Sequence, residues 1–346
     1  MTRLAEITRL DTIGLPVWQA VRPAGRALSV HQGKGISDEA AKIGALCEAI
    51  ESHCAERVVP DGPRARFEEL PPAERAPAFS DYARGRDAPA PDGPIDWCVA
   101  EEVLGGGAFH LPHDFVALDF TRRQEPWVER SSNGLGAGPD IARSRRTALC
   151  EQVERDAVGE WERASALDRL GKEVDAGAIA LDWFQEWRAR LRDNGLSLRL
   201  FAPEAAIGLP VFLCWIEGEE RFGRRYRRYG GSSADGDPEV ALFKALAEAI
   251  QSRLTFIAAV RDDMLPSLYH ESVVRIPGVP PAPPGFPLRD WRETPPHAAT
   301  WEEIAEALAA AGYRHVAMKE IQGDLSGVVV SKAFVSGLGS LSRRRR

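Results

Sequence analysis

Nearly the same nine-residue sequence motif, called the phrase below, occurs three times in this chain. It reads ALCEAIESH from Ala45, ALCEQVERD from Ala148 and ALAEAIQSR from Ala245. Each copy has an acidic residue fourth and Glu or Gln seventh, and each follows a glycine-rich polar turn. The copies start 103 and 97 residues apart, which is far longer than the period of a solenoid repeat. This spacing predicts three pseudo-repeated α/β units arranged around a common centre.

Each phrase lies inside a segment with helical periodicity and a helix-start signal. Ser37 is suited to cap the first helix, while Pro139 and Pro238 are suited to the first helical position of the other two. The apolar patterns predict helices over 37–58, 139–163, 181–194, 238–260 and 301–311. Period-2 patterns predict strands over 16–21, 27–31, 97–104, 115–120, 209–216 and 327–335.

The mixture of helices and strands predicts a mixed α and β fold, and a length of 346 residues allows one large domain or two. Residues 60–95 and 275–299 are rich in proline, which predicts two loops without regular structure, either of which could cover a site. The basic end, residues 340–346, is expected to be a flexible, solvated tail.

Helical spacing predicts which side of the first and third helices is buried. In the first helix Ile43, Leu46, Ile50 and Cys54 follow the spacing of a buried stripe. In the third helix the corresponding apolar residues are Phe243, Leu246, Ile250 and Ile257. The acidic residues lie off these stripes and project in pairs from one flank of each helix, namely Glu48 with Glu51, Glu151 with Glu154, and Glu248 with Gln251.

Repeated pairs of carboxylates predict a bound cation. Like charges three residues apart destabilise an exposed helix by roughly 0.2–0.5 kcal/mol, so their repetition suggests compensation. Oxygen ligands without His or Cys at metal spacing favour Mg²⁺ over zinc, and Mg²⁺ usually completes its shell with water and substrate phosphates. The predicted metal ligands are Glu48, Glu51, Glu151, Glu154 and Glu248.

The glycine turns are candidates for binding the phosphates that such a metal site implies. Backbone N–H groups at a glycine turn and a helix amino terminus together can hold an anion. The GKG turn at Gly33 is not a P-loop, because no Ser or Thr follows the lysine directly. The cations predicted to lie on phosphate oxygens are Lys34, Arg155, Arg253 and Arg261, each of which could instead form a surface salt bridge.

Bulk composition argues against several other classes. The net charge of −7 offers no general attraction to nucleic acid or acidic membranes, and the apolar runs are too short to span a bilayer. The amino terminus lacks the apolar core of a signal peptide, which predicts a cytoplasmic protein. Five cysteines without a C-x-x-C pair favour neither disulfides nor structural zinc, and no G-x-S-x-G elbow indicates a hydrolase.

The basic stretch 221–231 is interpreted as an edge strand or hairpin, with peptide or nucleic-acid contact as the alternative.

The three motifs together resemble the YcaO family. The resemblance extends from about Leu10 to Gly339 and is strongest in SVHQGKGISDEAAKIGALCEAIESHCAE, in SSNGLGAG with ALCEQVERDAV, and in PEVALFKALAEAIQSRLTFIAAVRDD. It implies an α+β, YcaO-like fold with a central nucleotide site, in a single large domain over residues 1–346 with a core of about 10–339. It also implies an ATP- and Mg²⁺-dependent enzyme that activates backbone amides of peptides or proteins by phosphorylating the amide oxygen.

The resemblance also implies roles for individual residues. The first two helical motifs would bind Mg²⁺ through Glu48, Glu51, Glu151 and Glu154. By the resemblance, Arg155, Gln251 and Arg253 would approach ATP. Together with the cations and the glycine turn named above, the predicted ATP-binding residues are Lys34, Ser131, Asn133, Arg155, Gln251, Arg253 and Arg261. No catalytic side chain is assigned, because phosphoryl transfer depends on positioned phosphates and charge neutralisation more than on covalent chemistry.

Some positions depart from the family pattern. Ser52 stands where an arginine often follows the first glutamate pair, and Arg143 stands where an acidic residue often precedes the second pair. Both departures put the strength of Mg²⁺ or ATP binding in doubt. The chain ends in SRRRR where azoline-forming members tend to carry a proline-rich tail. This difference favours the branch that resembles thioamide-forming YcaO proteins, which work with a TfuA-like sulfur-delivery partner.

Two alternatives stay open at this point. Within the same class, the chain could be a cyclodehydratase that forms azolines from Cys, Ser or Thr in a ribosomal-peptide pathway. From another class, it could be a non-catalytic scaffold that binds a leader peptide or partner and retains the ATP motifs. A homodimer is a further expectation. Since no leader-binding domain is evident, substrate recognition is expected to reside in another protein.

Overall fold

The structure is a computed structural model that describes residues 1–82, 90–123, 125, 127–128, 130–219, 226–270, 278–297, 300–321, 323 and 327–338. Helices and strands are mixed along the chain. The strands are β1 Arg3–Glu6, β2 Val17–Val21, β3 Val30–Lys34, β4 Arg64–Ala65, β5 Ile95–Glu102, β6 Ala108–Pro112, β7 Leu135–Gly138, β8 Glu173–Val174, β9 Leu196–Phe201, β10 Val211–Glu219, β11 Tyr226–Ala234, β12 Val316–Ile321 and β13 Val329–Val335.

The longer helices follow the predicted segments closely. The helices are α1 Asp38–Ala55, α2 His113–Val116, α3 Ile141–Arg163, α4 Ala166–Leu170, α5 Asp182–Asp193, α6 Pro238–Ala258, α7 Ser267–His270 and α8 Trp301–Ala310. Asp237 caps α6 by accepting a hydrogen bond from the Glu239 N–H, and Thr300 caps α8 in a capping box with Glu303. Among the described helices, none is long and apolar enough to cross a membrane.

The chain divides into two compact units, each assembled from separate stretches of sequence. Unit 1 comprises Met1–Pro23, Leu28–Leu46 and Glu160–His297, and unit 2 comprises Ala24–Ala27, Cys47–Gly159 and Ala298–Arg346. Glu48 and Glu51 of α1 and Glu151 and Glu154 of α3 therefore belong to unit 2. Lys34 and the predicted site residues of α6 belong to unit 1.

Unit 1 contains two antiparallel sheets. One has the order β1-β2-β3 and the other the order β11-β10-β9-β8. Their core is apolar and includes Phe184, Leu191, Phe212, Leu242 and Ile250, all almost completely buried. Strand β11 pairs with β10 and forms an edge of the second sheet, which confirms the edge-strand interpretation for the described part of 221–231. Residues 221–225 lie outside the described residues.

Unit 2 is built on one sheet with the order β4-β5-β12-β13-β7, and β6 pairs with β5 beside this path. Strands β12 and β13 are antiparallel, with Lys319 directly opposite Lys332. The core below the sheet is rich in aromatic rings, among them Trp97, Phe109 and Phe334. Tyr82 stacks on Phe334 with ring centroids 4.9 Å apart.

The first proline-rich segment is more ordered than the sequence predicts. Within 60–82 the structure has the short strand β4 and 3₁₀ helices at Phe67–Glu69, Pro72–Glu74 and Phe79–Asp81. Phe67, Phe79 and Tyr82 are buried in the core of unit 2. The prolines exclude long helices and strands, but they permit short turns that bury aromatic side chains between them. Residues 83–89 lie outside the described residues.

The second proline-rich segment is held along an edge of unit 1. In the described stretch 278–297, the Arg199 guanidinium donates to the carbonyl oxygens of Val279 and Pro280. The Asp175 N–H donates to Arg289 O and the Arg289 N–H donates to Glu173 O, at 3.0 and 2.9 Å. Trp291–Glu293 forms one 3₁₀ turn. The segment is therefore extended and anchored by hydrogen bonds.

Several predicted elements differ from the structure. The strand predicted over 115–120 is wrong, because His113–Val116 is a helical turn and residues 117–120 are not in a strand. A short apolar run does not distinguish a strand from a buried turn by its periodicity. The strand predicted over 27–31 is displaced to Val30–Lys34. The strands that the periodicity missed include β1, β6, β7, β9 and β12.

The buried stripe predicted for α1 is wrong at Ile43, whereas Cys54 of the same stripe is buried. Ile43 is 62% exposed, whereas Ala41, Ala45 and Ala49 are buried. The reason is Gly33 in β3, where an added Cβ would lie 2.0 Å from the Ala45 nitrogen. The helix backbone packs directly on the strand backbone, so small residues face the sheet and the larger apolar residues point away. In α6 the predicted residues Leu246 and Ile250 are buried.

The same close approach of a strand glycine to a helix backbone occurs at all three phrases. A Cβ on Gly136 of β7 would lie 2.6 Å from the Ala148 nitrogen, and Ala148 starts its phrase as Ala45 does. A Cβ on Gly231 of β11 would lie 2.2 Å from the Ala249 nitrogen, one turn after the start of the third phrase. Gly231 is seven residues before the first residue of its helix, whereas Gly33 and Gly136 are five residues before theirs, so Gly231 meets its helix farther along. The phrase itself starts seven residues after the first helical residue in all three helices.

The contact at Gly33 leads to a stability prediction. We expect Gly33→Ala to lower the free energy of unfolding by about 3 kcal/mol, because the methyl group would overlap the backbone of α1. Gly93→Ala is the matched control, since a Cβ there has nothing within 4 Å, and it should change stability by less than about 0.5 kcal/mol. Urea denaturation of both variants measures the difference. Equal unfolding midpoints would contradict the backbone contact.

Candidate functional site

The clearest cluster of charged groups in unit 2 involves α1, α3 and the strand β7 that precedes α3. Glu51 of α1 accepts a hydrogen bond from the Ala137 N–H at 2.6 Å. Glu151 of α3 accepts one from the Gly134 N–H at 3.2 Å. Both carboxylates are thus held by backbone groups of the second glycine turn and its strand, which the sequence singles out only as a candidate phosphate loop.

The carboxyl groups of this cluster interact electrostatically. Desolvation raises the pKa of Glu51 well above its ordinary value, and the negative charges of Glu48 and Glu151 raise it further. Desolvation also raises the pKa of Glu151, although the Arg155 charge opposes the shift; Glu48 raises this pKa and Lys332 lowers it. The structure therefore brings together three of the predicted metal ligands, Glu48, Glu51 and Glu151.

The other predicted residues of α3 flank this cluster. Arg155 lies one turn after Glu151 and its Nη2 is 3.3 Å from Glu151 Oε1. Glu154 is buried, at 8% exposure. Arg155 was predicted to approach ATP phosphates, and in the structure its guanidinium engages the carboxylate that was predicted to bind the metal.

The second glycine turn carries Ser131 and Asn133. The Asn133 N–H lies 3.3 Å from Ser131 Oγ, and the Leu135 N–H donates to Ser132 O at 2.8 Å. Gly134 has φ of +75°, a conformation that favours glycine. Ser131 and Asn133 therefore lie in the loop whose next residue holds Glu151.

In unit 1, two predicted site residues bind each other. Lys34 Nζ and Glu248 Oε2 form an ion pair at 3.1 Å. Lys34 was predicted to bind phosphate and Glu248 to bind the metal, so this pair joins a predicted phosphate ligand to a predicted metal ligand. Gln251 donates from Nε2 to Gln32 O at 3.1 Å, while its Oε1 is buried and accepts no hydrogen bond from the described residues.

Two further arginines predicted to approach ATP are engaged in ion pairs of unit 1. Arg253 Nε lies 2.9 Å from Asp11 Oδ2, and both side chains are largely buried. Arg261 pairs with Asp263, two residues along the chain, at a more exposed position. The roles of Lys34, Gln251, Arg253 and Arg261 toward a nucleotide stay predictions, as does a joint site that includes α6.

The donor set of unit 2 fits a hydrated divalent cation. Within the ranges that the structure describes, no three His, Cys, Asp or Glu side chains are already arranged as a complete metal site. Magnesium does not need one, because it binds through one or two carboxylates and takes water and phosphate oxygens for the rest of its shell. A cation would also relieve the repulsion that raises the pKa values of Glu51 and Glu151.

Sequence reasoning missed one buried charge in this region. Lys332 of β13 is only 1% exposed, and its Nζ donates to Ser131 O at 2.8 Å. Desolvation lowers its pKa to about 8, although the Glu151 charge acts in the opposite direction. The available signal was a lysine in the middle of an otherwise apolar strand pattern. Such a residue must find a partner if the strand is buried on both faces.

Comparison with known families gives a match over most of the chain. The model of the family described as YcaO cyclodehydratase, ATP- and Mg²⁺-binding, matches residues 32–339. A protein of Rhizobium leguminosarum bv. trifolii described only as an uncharacterised protein in the tfuA 3′ region is 35% identical over 275 residues. That alignment covers 78% of this chain and 65% of the relative, so the chain spans slightly less than two thirds of the relative's length.

Solved structures show the same fold. A heterocyclase in complex with substrate and cofactor superimposes with a TM-score of 0.75 and 20% identity, over 98% of this chain and 50% of that one. The structure of YcaO from Methanopyrus kandleri bound with AMPPCP and Mg²⁺ has a TM-score of 0.70 and 20% identity, over 97% of this chain and 85% of that one. At this level of identity the likeness shows the fold, which confirms the predicted mixed α and β architecture.

Proposed function

Because the chain belongs to the YcaO family, which is described as ATP- and Mg²⁺-binding, we propose that it uses both to activate backbone amides of a peptide or protein. The observation that carries this proposal is the cluster of Glu48, Glu51 and Glu151. These carboxylates come from two helices and interact electrostatically, and Glu51 and Glu151 are desolvated. Such a cluster is costly in the ligand-free protein and becomes favourable when a cation is bound.

The residues of unit 2 have distinct roles in this proposal. Glu51 and Glu151 are oriented by the N–H groups of Ala137 and Gly134, so they would hold Mg²⁺ without rearrangement of the backbone. Arg155 lies beside Glu151 and would bring a guanidinium to the phosphates. When bound, Mg²⁺ and ATP supply charge neutralisation and the transferable phosphoryl group.

In the proposed reaction, a nucleophile replaces the oxygen at the amide carbon. The γ-phosphoryl group passes from ATP to the amide oxygen, and ADP is released. A nucleophile forms a new bond to the amide carbon, the carbon–oxygen bond breaks, and inorganic phosphate carries the former amide oxygen away. With sulfide as the nucleophile, the product is a thioamide with the peptide side chains unchanged.

We favour thioamide formation, supported by the description of the Rhizobium relative as lying in a tfuA region. In this proposal a TfuA-like protein delivers the sulfur, and the substrate is a peptide or protein. The second candidate is azoline formation from a Cys, Ser or Thr side chain. It is favoured by the heterocyclase among the similar structures.

The test is a reaction of the purified protein with ATP, Mg²⁺, sulfide and the short peptides encoded beside its gene, with and without a neighbouring TfuA-like protein. We expect release of ADP and phosphate, and a peptide mass that reports replacement of one oxygen by sulfur. Loss of one water would instead support the azoline alternative. Failure of Mg²⁺ to promote AMPPCP binding by the protein would contradict both outcomes.

The same reaction tests the assignment of Glu151. We expect Glu151→Gln to lower turnover by at least about 100-fold, because a ligand of the metal loses its charge. Glu160→Gln is the matched control on the same helix, since Glu160 is exposed and pairs with Arg163. Equal turnover by the two variants would contradict the role of Glu151.

A further inference from the structure

Lys332 is an unusual residue for the interior of a sheet. It lies in β13 with 1% of its surface exposed, although lysine is almost never fully buried without a partner. Removing an ammonium group from water is costly, so the structure must recover this free energy through contacts. These contacts connect Lys332 to the candidate site rather than to the apolar core alone.

The contact that fixes its position is with the second glycine turn. Lys332 Nζ donates to Ser131 O at 2.8 Å and lies 5.1 Å from the centroid of the Phe115 ring. Three residues along the chain, Gly134 O accepts a hydrogen bond from the Ala333 N–H at 2.8 Å. Consecutive residues of β13 therefore hold both ends of the segment 131–134, which is called the 131–134 loop below.

The loop is confined on its other side by α3. The Gly134 N–H donates to Glu151 Oε2, and Gln152 Nε2 donates to Ala333 O at 3.2 Å. A Cβ at Gly134 would lie 2.2 Å from Gln152 Nε2, so the loop has no room to shift toward the helix. The loop, β13 and the turn of α3 that carries Glu151 are thus connected by hydrogen bonds. Lys332 is the buried cation that β13 places near Glu151.

We propose that Lys332 is a positioning residue that holds the 131–134 loop and places Ser131, Asn133 and Glu151 for nucleotide and metal binding. The hydrogen bond to Ser131 O fixes the loop, and the positive charge balances Glu151 in the ligand-free protein. Lys332 acts through these residues and need not touch the nucleotide. The nucleotide part of this inference rests on the proposed function, whereas the loop part rests on the contacts of Lys332.

Hydrogen exchange and nucleotide binding test the two parts separately. The variant is Lys332→Met, which keeps an unbranched chain but removes the charge and the N–H donors. In the protein without nucleotide, we expect exchange of the 133–135 amides to accelerate by at least about tenfold. We expect AMPPCP affinity in the presence of Mg²⁺ to fall by at least about tenfold. Should this variant not fold, Lys332→Leu replaces it, because leucine also lacks the charge and the N–H donors, and the same two results are expected.

The matched control is Lys319→Met on the neighbouring strand β12. Lys319 lies directly opposite Lys332 in the sheet, but its Nζ contacts Asp61. It should change AMPPCP affinity by less than about twofold even if it lowers stability by a similar amount. A merely structural role for Lys332 would make the two variants alike in AMPPCP affinity.

Three results would overturn the inference. Unchanged exchange at 133–135 would show that Lys332 does not hold the loop. Faster exchange with unchanged AMPPCP affinity would show that the loop does not serve the nucleotide. If the wild-type protein bound no AMPPCP with Mg²⁺, the proposed function and the nucleotide part would both fail, and the exchange result would still decide whether Lys332 holds the loop.

Discussion

Replacing Glu51 by Gln is expected to abolish Mg²⁺-dependent nucleotide binding and at the same time to stabilise the ligand-free protein. Glutamine keeps an acceptor for the Ala137 N–H but removes a desolvated charge that Glu48 and Glu151 repel. We expect AMPPCP affinity with Mg²⁺ to fall by at least about 100-fold. We expect the free energy of unfolding at neutral pH, without ligand, to rise by about 1 kcal/mol or more.

The pH dependence of stability gives this prediction a second readout. The pKa of Glu51 is raised in the folded protein, so proton uptake favours folding. The stabilising contribution is complete below the unfolded value near 4.5 and is lost as the pH rises through the raised folded value. Ligand-free wild-type protein should lose stability over this interval, and Glu51→Gln should lose less. Glu151 contributes to the pH dependence of stability in the same direction, so part of that pH dependence remains in the Glu51→Gln variant.

Lys332 contributes with the opposite sign. Its pKa is lowered to about 8, so its stabilising contribution is present above the unfolded value near 10.5 and is lost as the pH falls through about 8. Urea denaturation between about pH 4.5 and pH 10.5 separates these effects, with Glu306→Gln on the exposed side of α8 as the control. A Glu51→Gln profile that coincides with wild type would contradict the repulsion between these carboxylates.

Replacing Arg253 by Gln is expected to destabilise the protein by about 3–5 kcal/mol. Its partner Asp11 is only 3% exposed, so loss of the guanidinium leaves a buried carboxylate without its charged partner. The measurement is the free energy of unfolding in urea, with Arg261→Gln as control. Arg261 pairs with the more exposed Asp263, so that control should cost less than about 1 kcal/mol.

The Arg253 variant also separates two roles for this residue. Family resemblance predicts that Arg253 approaches ATP, whereas the structure pairs it with Asp11. A large loss of stability, partly recovered in the double variant with Asp11→Asn, supports a structural pair. Unchanged stability with weakened AMPPCP binding would contradict it and assign Arg253 to the nucleotide.

How much of the candidate site could be predicted from the sequence differs between the two units. In unit 2, the repeated phrase identified Glu48, Glu51 and Glu151, and the structure shows them interacting. In unit 1, the same phrase pointed to Glu248 as a metal ligand, but Glu248 binds Lys34. The phrase has the same spacing in both units, but Lys34 and Glu248 are far apart in the chain, and the phrase alone does not report their ion pair.

The sequence by itself determined where the long helices form, because periodicity, proline and capping residues act within a few residues of chain. It also determined the family and the acidic pairs, since these are properties of motifs. Only the tertiary structure decided which face of α1 is buried, how Glu51 and Glu151 are oriented, and why a lysine stands in β13. Those outcomes depend on the close approach of Gly33 to Ala45 and on contacts between segments far apart in the chain, such as Lys332 with Ser131, and local patterns do not encode them.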